Sequence, residues 1–126
     1  MDIREIQSSE IEEGRRLLSE NGWQHLVSDA SLFSQLVSKS QRAIVAVEGA
    51  RVIGFARAIC DDFPMDTVHD CGRPDHRRRG VARAVVRAAM GDNPRITWVL
   101  RAGRPEEAPF FERMGFVPST VAMERN

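Results

Sequence analysis

The stretch His76-Arg77-Arg78-Arg79-Gly80-Val81-Ala82 gathers the residue types best able to do specific chemistry in this chain. Four basic side chains run directly into a glycine, and an alanine-rich segment follows as far as Met90. The pattern Arg77-x-x-Gly80-x-Ala82 sits where an extended segment gives way to a helical one. The first amides of a helix have no intrahelical acceptors, so they point outward as donors, aided by the positive end of the helix dipole. Gly80 and Ala82 are small enough for a bulky diphosphate to reach that backbone, and the neighbouring guanidinium groups would neutralise it. An amphipathic helix with merely solvated arginines would use the same residues, as would a helix that grips nucleic acid. The latter wants aromatic or polar readers between its basic groups, and these are absent.

A second set of reactive groups lies just upstream. Asp61, Asp62 and Asp66 lead into His69, Asp70 and Cys71. An imidazole is apt for collecting an ammonium proton near neutral pH, although each of these residues also reads as a polar group at a strand edge. His69, Cys60 and Cys71 lack the ligand-pair spacing of a metal site, so no metal is expected. Two cysteines make no disulfide framework, which points to a reducing, cytoplasmic setting.

Charge is distributed to the same end. The formal sum is zero, yet the segment from Arg73 to Arg104 holds nine arginines against Asp75 and Asp92. A neutral whole argues against general nucleic-acid binding, and a basic middle argues for one concentrated anion site. No apolar run approaches the roughly 20 residues of a membrane span, and the acidic opening MDIREIQSSEIEE is unlike a signal peptide. With 126 residues, 42% of them hydrophobic, the expectation is one globular domain over 1–126.

The elements that must hold these groups follow from periodicity. Residues 2–7 read as a short opening strand. SSEIEEGRRLLSENG reads as a helix, with Ser9 and Glu12 as a capping box and Gly22 as its stop. SDASLFSQLVSKS gives a second helix with Leu32, Phe33, Leu36 and Val37 inward. Two Val- and Ile-rich runs across Glu48-Gly49-Ala50 predict a hairpin, and Ile53, Phe55 and Ile59 alternate as in a strand with one buried face. A further extended segment runs up to Pro74. Residues 78–90 form a helix with Val81, Val85, Ala88 and Ala89 inward and Arg79, Arg83 and Arg87 outward, ended by Gly91-Asp92-Asn93-Pro94. RITWVLRAG is a strand, PEEAPFFERMGF a short helix closed by Gly115, and STVAMER a last strand. The order β-α-α-β-β-β-α-β-α-β is a mixed α/β (α+β) pattern. Its central strand–helix–strand crossover implies parallel pairing inside a mostly antiparallel sheet with flanking helices.

The motif resembles the (Gln/Arg)-x-x-Gly-x-(Gly/Ala) signature of the GNAT family of N-acetyltransferases, and PDHRRRGVARAVV is similar to the family's Pro-x-x-Arg-x-x-Gly run into its third helix. About 35 residues later APFFERMGF looks like the family helix that ends Phe-Tyr-x-x-x-Gly-Phe, and the element order resembles the family fold throughout. The resemblance implies acetyl-coenzyme A as cosubstrate. Its diphosphate would lie on Arg77, Arg78, Arg79, Gly80, Val81 and Ala82, with Cys71, Gly72 and Arg73 along the pantetheine arm between splayed parallel strands 67–73 and 96–102. It also implies direct attack by a primary amine on the thioester, giving an amide and a free thiol. Asp70 and His69 fall where relatives place an acid or base. Trp23 and His25, between the first two helices, fall on the acceptor side. With Asp62, the acidic run 61–70 suits a cationic amine. No nucleic acid or membrane is implied as a partner; dimers are common among relatives, so a homodimer is one implied arrangement.

Three departures stand out. The chain contains no tyrosine, and Phe111 stands where the family's tyrosine, often the acid that reprotonates the thiolate, would lie against the cofactor. Arg104 replaces an asparagine that often contacts it. The strand before the motif fits the apolar pattern only if one residue is missing between Gly72 and Arg73, which would re-aim the backbone there. These departures leave a second expectation open: the same fold holding acyl-coenzyme A as a sensor or regulatory module without chemistry.

Overall fold

The computed structural model of the chain describes residues 1–20, 28–59, 66–68, 80–102 and 107–125, with 66–68 described by backbone alone. In chain order these hold strand β1 (Asp2–Glu5), a 3-10 turn (Ser8–Glu10), helices α1 (Ile11–Leu18) and α2 (Ala30–Lys39), strands β2 (Arg42–Glu48), β3 (Arg51–Ala58) and β4 (Asp66–Val68), helix α3 (Val81–Met90), strand β5 (Thr97–Val99) and helix α4 (Glu107–Arg113). β1, β2 and β3 form an antiparallel sheet in that order, and β4 pairs with β5 in parallel, Asp66 opposite Thr97 and Val68 opposite Val99. The expected mixed α/β architecture is present, and its β4–α3–β5 crossover supplies the parallel pair.

The β2–β3 hairpin is the floor of the molecule, and both its faces are buried. On one side α1 and α2 bring Leu17, Leu18, Phe33 and Val37 onto Val45, Val47, Val52 and Phe55. Phe33 and Phe55 meet with ring centroids 5.8 Å apart. On the other side α3 sets Val81, Val85, Val86 and Ala89 onto Ile44, Ala46, Ile53 and Ala56. A β-bulge makes this possible. The register passes from Ala46 opposite Gly54 to Val47 opposite Val52, so Ile53 is an extra residue. Ile53 and Gly54 therefore both turn towards α3, while Val52 and Phe55 turn towards α1 and α2. The Val52 N–H beside the bulge donates to the Glu13 carboxylate, tying α1 to the hairpin.

Several sequence expectations need correcting. β3 has two buried faces rather than one, and Ile59 lies past its end, 46% exposed. The first helix is not capped by Ser9 and Glu12. Instead Glu10 accepts the Gln7 N–H at 2.9 Å, and Glu12 pairs with Arg15 on the same helix. The second helix is capped by Asp29, whose carboxylate accepts the Ser31 and Leu32 N–H groups at 2.9 and 3.1 Å; Leu32 itself is exposed. In α3 Val86 is buried and Ala88 exposed, because the stripe that packs on the sheet runs through Val81, Val85, Val86 and Ala89 at i, i+4, i+5 and i+8. STVAMER forms no strand: residues 116–119 and 122–125 have no regular secondary structure, and Val121 and Met123 are exposed. Among the described residues, no helix is long and apolar enough to cross a membrane.

Candidate functional site

Helix α3 opens on Gly80, which has φ 77° and ψ −9° and lies in the left-handed region that costs a Cβ-bearing residue energy. Its carbonyl accepts the Ala84 N–H at 2.9 Å, so the helix is fully engaged from its first turn. A Cβ built on Gly80 meets nothing within 4 Å among the described residues. Among the described residues, then, the glycine answers to backbone conformation and not to packing. Val81 and Ala82 are buried, at 2% and 8% exposure, so what they offer outward is their amides, not their side chains. The N–H groups of Val81, Ala82 and Arg83 lie in the first turn, beyond reach of intrahelical acceptors. No acceptor for them is found among the described residues. Arg83 and Arg87 stand on the exposed face.

What holds this helix start in place is the sheet beneath it. Gly54 in β3 faces Val81 so closely that a Cβ there would lie 2.6 Å from Val81 Cγ1, and 3.4 Å from both Val85 Cγ1 and Ala46 Cβ. At the far end of α3, Arg42 Nη1 donates to the Ala89 and Met90 carbonyls, each at 2.7 Å, and its guanidinium lies 5.5 Å from the centre of the Trp98 ring in β5. One side chain of β2 thus ties the helix C-terminus to the parallel strand pair.

Beside β5 lies an open, mainly apolar groove of about 800 Å³, lined by Trp98, Leu100, Phe111, Phe116 and Val121 among others. Phe111 is packed rather than displayed, at 9% exposure, with Phe110 and Phe116 edge-on at 5.0 and 5.6 Å. A phenyl ring in that setting needs no polar partner, whereas a phenol would.

Of the residues singled out in the sequence, Gly80, Val81, Ala82 and Phe111 are thus placed, the first three together at the helix start, and the backbone of Asp66 opens β4 opposite Thr97. His69, Asp70, Cys71, Gly72, Arg73, Arg77, Arg78, Arg79, Arg104, Trp23, His25 and Asp62 lie outside the described residues.

A sequence signature described as an acetyltransferase (GNAT) domain matches residues 39–118, which is more than half of the chain and includes the β2–β3 floor, Gly80 and α3. The chain belongs to the GNAT acetyltransferases. No curated protein matches its sequence. Solved structures share the GNAT fold over nearly the whole length. A GNAT-family protein from Xanthomonas campestris pv. campestris is 23% identical with a TM-score of 0.70, the match covering 100% of this chain and 94% of that one. An aminoglycoside N-acetyltransferase in complex with CoA is 19% identical with a TM-score of 0.70, covering 99% and 93%. A transcriptional regulator from Bacillus halodurans is 17% identical with a TM-score of 0.69, covering 99% and 98%. The same fold thus appears under different descriptions, and function has to be argued from the site.

Two residues of this GNAT domain that meet α3 closely were not singled out from sequence. Gly54 left a signal, since a glycine inside an apolar strand marks a bulge or a close approach. Arg42 left none, because an arginine at a strand start looks like any solvated charge until a helix end arrives above it.

Proposed function

We propose that the chain is an acetyl-coenzyme A-dependent N-acetyltransferase acting on a primary amine. The observation that carries this reading is the open start of α3. There, among the described residues, a left-handed glycine with no side chain over it begins a run of three unpaired amides, within the segment that matches the GNAT domain. A diphosphate fits such a place, because it needs several converging N–H donors and backbone approach without a Cβ in between.

When bound, acetyl-coenzyme A supplies the thioester whose acyl group is transferred. In this reading Gly80, Val81 and Ala82 seat the diphosphate, Gly80 by keeping a side chain off the backbone and the residues after it by their amides. Arg77, Arg78 and Arg79 add charge-assisted bonds to it, and Arg104 reaches a phosphate. Cys71, Gly72 and Arg73 run along the pantetheine arm. His69 and Asp70 accept the ammonium proton of an amine held near Trp23, His25 and Asp62. The CoA-bound aminoglycoside N-acetyltransferase among the structural neighbours supports both the cosubstrate and the amine.

Phe111 favours a second reading. It is buried among phenyl rings in a chain without tyrosine, so it gives the departing thiolate no proton. A domain that binds acyl-coenzyme A without turning it over suits that arrangement. Thermal denaturation with coenzyme A and acetyl-coenzyme A tests the shared part, since ligand at 100 times its Kd stabilises by about 2.7 kcal/mol. No stabilisation by either would remove both readings. Thiol release with a panel of primary amines then separates them: turnover with one amine establishes the enzyme, and binding without turnover establishes the sensor.

A further inference from the structure

We infer that Gly54, in the middle of β3, is a positioning residue that sets where the first turn of α3 lies, acting through Val81. The inference rests on the reading of that turn as a diphosphate seat and deepens it. Gly54 does not have the positive φ of Gly49, Gly80, Gly91 and Gly115, so its backbone could carry an alanine without conformational strain. Glycine is needed there for space alone. A methyl group would lie 2.6 Å from Val81 Cγ1, roughly 1 Å inside the 3.5–4.0 Å at which carbon atoms rest.

The contact cannot be relieved by a side-chain swing. Val81 is β-branched, sits in a helix and is 2% exposed, so its rotamer is held on every side. Ala46 and Val85 close the flanks at 3.4 Å. On the sheet side, Gly54 belongs to a strand buried on both faces, beside a bulge tied to α1 by Glu13. β3 is hydrogen-bonded to β2 along its length and Arg42 anchors the far end of α3, so the partner that yields is the first turn of α3. A methyl at position 54 therefore lifts the turn that carries the Val81, Ala82 and Arg83 amides. A displacement of about 1 Å at a preorganised site costs on the order of 100-fold in function.

The test is a double-mutant cycle on the full chain with Gly54→Ala, Val81→Ala and both together. In the ligand-free protein, G54A should move the backbone amide resonances of residues 80–84 more than those of 88–90, and the double variant should return them towards wild type. Titrated with coenzyme A, G54A should bind at least tenfold more weakly, and the double variant should recover to within about threefold of wild type. If G54A fails to fold, a double variant that folds and binds coenzyme A upholds the role, and one that does neither overturns it. Wild-type resonances at 80–84 in G54A, or weakened binding that the double variant leaves unrecovered, would also overturn it. Should the wild type itself ignore coenzyme A, the diphosphate reading falls, and the amide resonances alone decide the positioning claim.

Discussion

Replacing Gly80 with alanine separates the two reasons for a glycine at the head of α3. The added methyl meets no atom within 4 Å among the described residues, so packing against these adds nothing to its cost. The backbone does contribute: at φ 77° a Cβ-bearing residue costs roughly 1–2 kcal/mol. For a chain of this size that loss should lower Tm by roughly 3–10 °C. Coenzyme A affinity should fall further than stability does, because the methyl projects into the space through which a diphosphate must reach the amides. A tenfold rise in Kd corresponds to about 1.4 kcal/mol, and at least that is expected. Gly80→Asn provides the control. Asparagine tolerates the left-handed region, so much of the lost Tm should return, while its larger side chain should leave binding just as weak. Calorimetric titration with coenzyme A, run beside thermal denaturation, reads both quantities. If G80A bound coenzyme A with the wild-type Kd, no phosphate would approach that backbone, and the functional reading would lose its foundation.

Other perturbations test the scaffold. Phe111→Ala should cost about 3–5 kcal/mol in urea denaturation, the range for truncating a buried aromatic, because the ring fills the space between Phe110 and Phe116. Arg42→Ala should destabilise by about 1.5–3 kcal/mol, since it uncaps the Ala89 and Met90 carbonyls and removes the cation over Trp98; Arg42→Lys should recover only part of this. Hydrogen bonding from Arg4 holds the Glu10 carboxyl below its ordinary range. The pair therefore stabilises the fold above the unfolded carboxyl pKa of about 4.3, and that contribution disappears as pH falls through the lower folded value. Glu10→Gln should accordingly show a shallower fall of Tm on acidification below pH ~4, and an unchanged slope would mean the pair is energetically idle.

The hairpin, the crossover and the helix that carries the glycine were legible in the sequence because local signals agreed there. Gly49-Ala50 between two Val- and Ile-rich runs leaves few alternatives, and Gly91 and Pro94 bracket the end of α3. What misled was information that resides in pairing. Reading Ile53, Phe55 and Ile59 as one face assumes an unbroken alternation, and a bulge is invisible until the opposite strand supplies the register. The N-terminal cap went astray because Ser9–Glu12 and Gln7–Glu10 share the same spacing, and Arg4, reaching Glu10 from β1 at 2.8 Å, accompanies the second. STVAMER has strand composition, but composition supplies no neighbouring edge. At the site, the motif located the helix start, whereas the glycine that makes room for it lies 26 positions upstream and becomes meaningful only when the two elements meet.

The supernumerary Ile53 also fixes where this chain can change length. Parity governs a strand: losing one residue from positions 55 to 58 with the bulge kept would exchange inside for outside over the rest of the strand. Losing Ile53 itself would leave Val52 and Phe55 looking the same way as before and simply straighten the ladder. An alignment of relatives with a single-residue gap in this hairpin should therefore carry it at that point, where the protein can shed a residue without turning over its own floor.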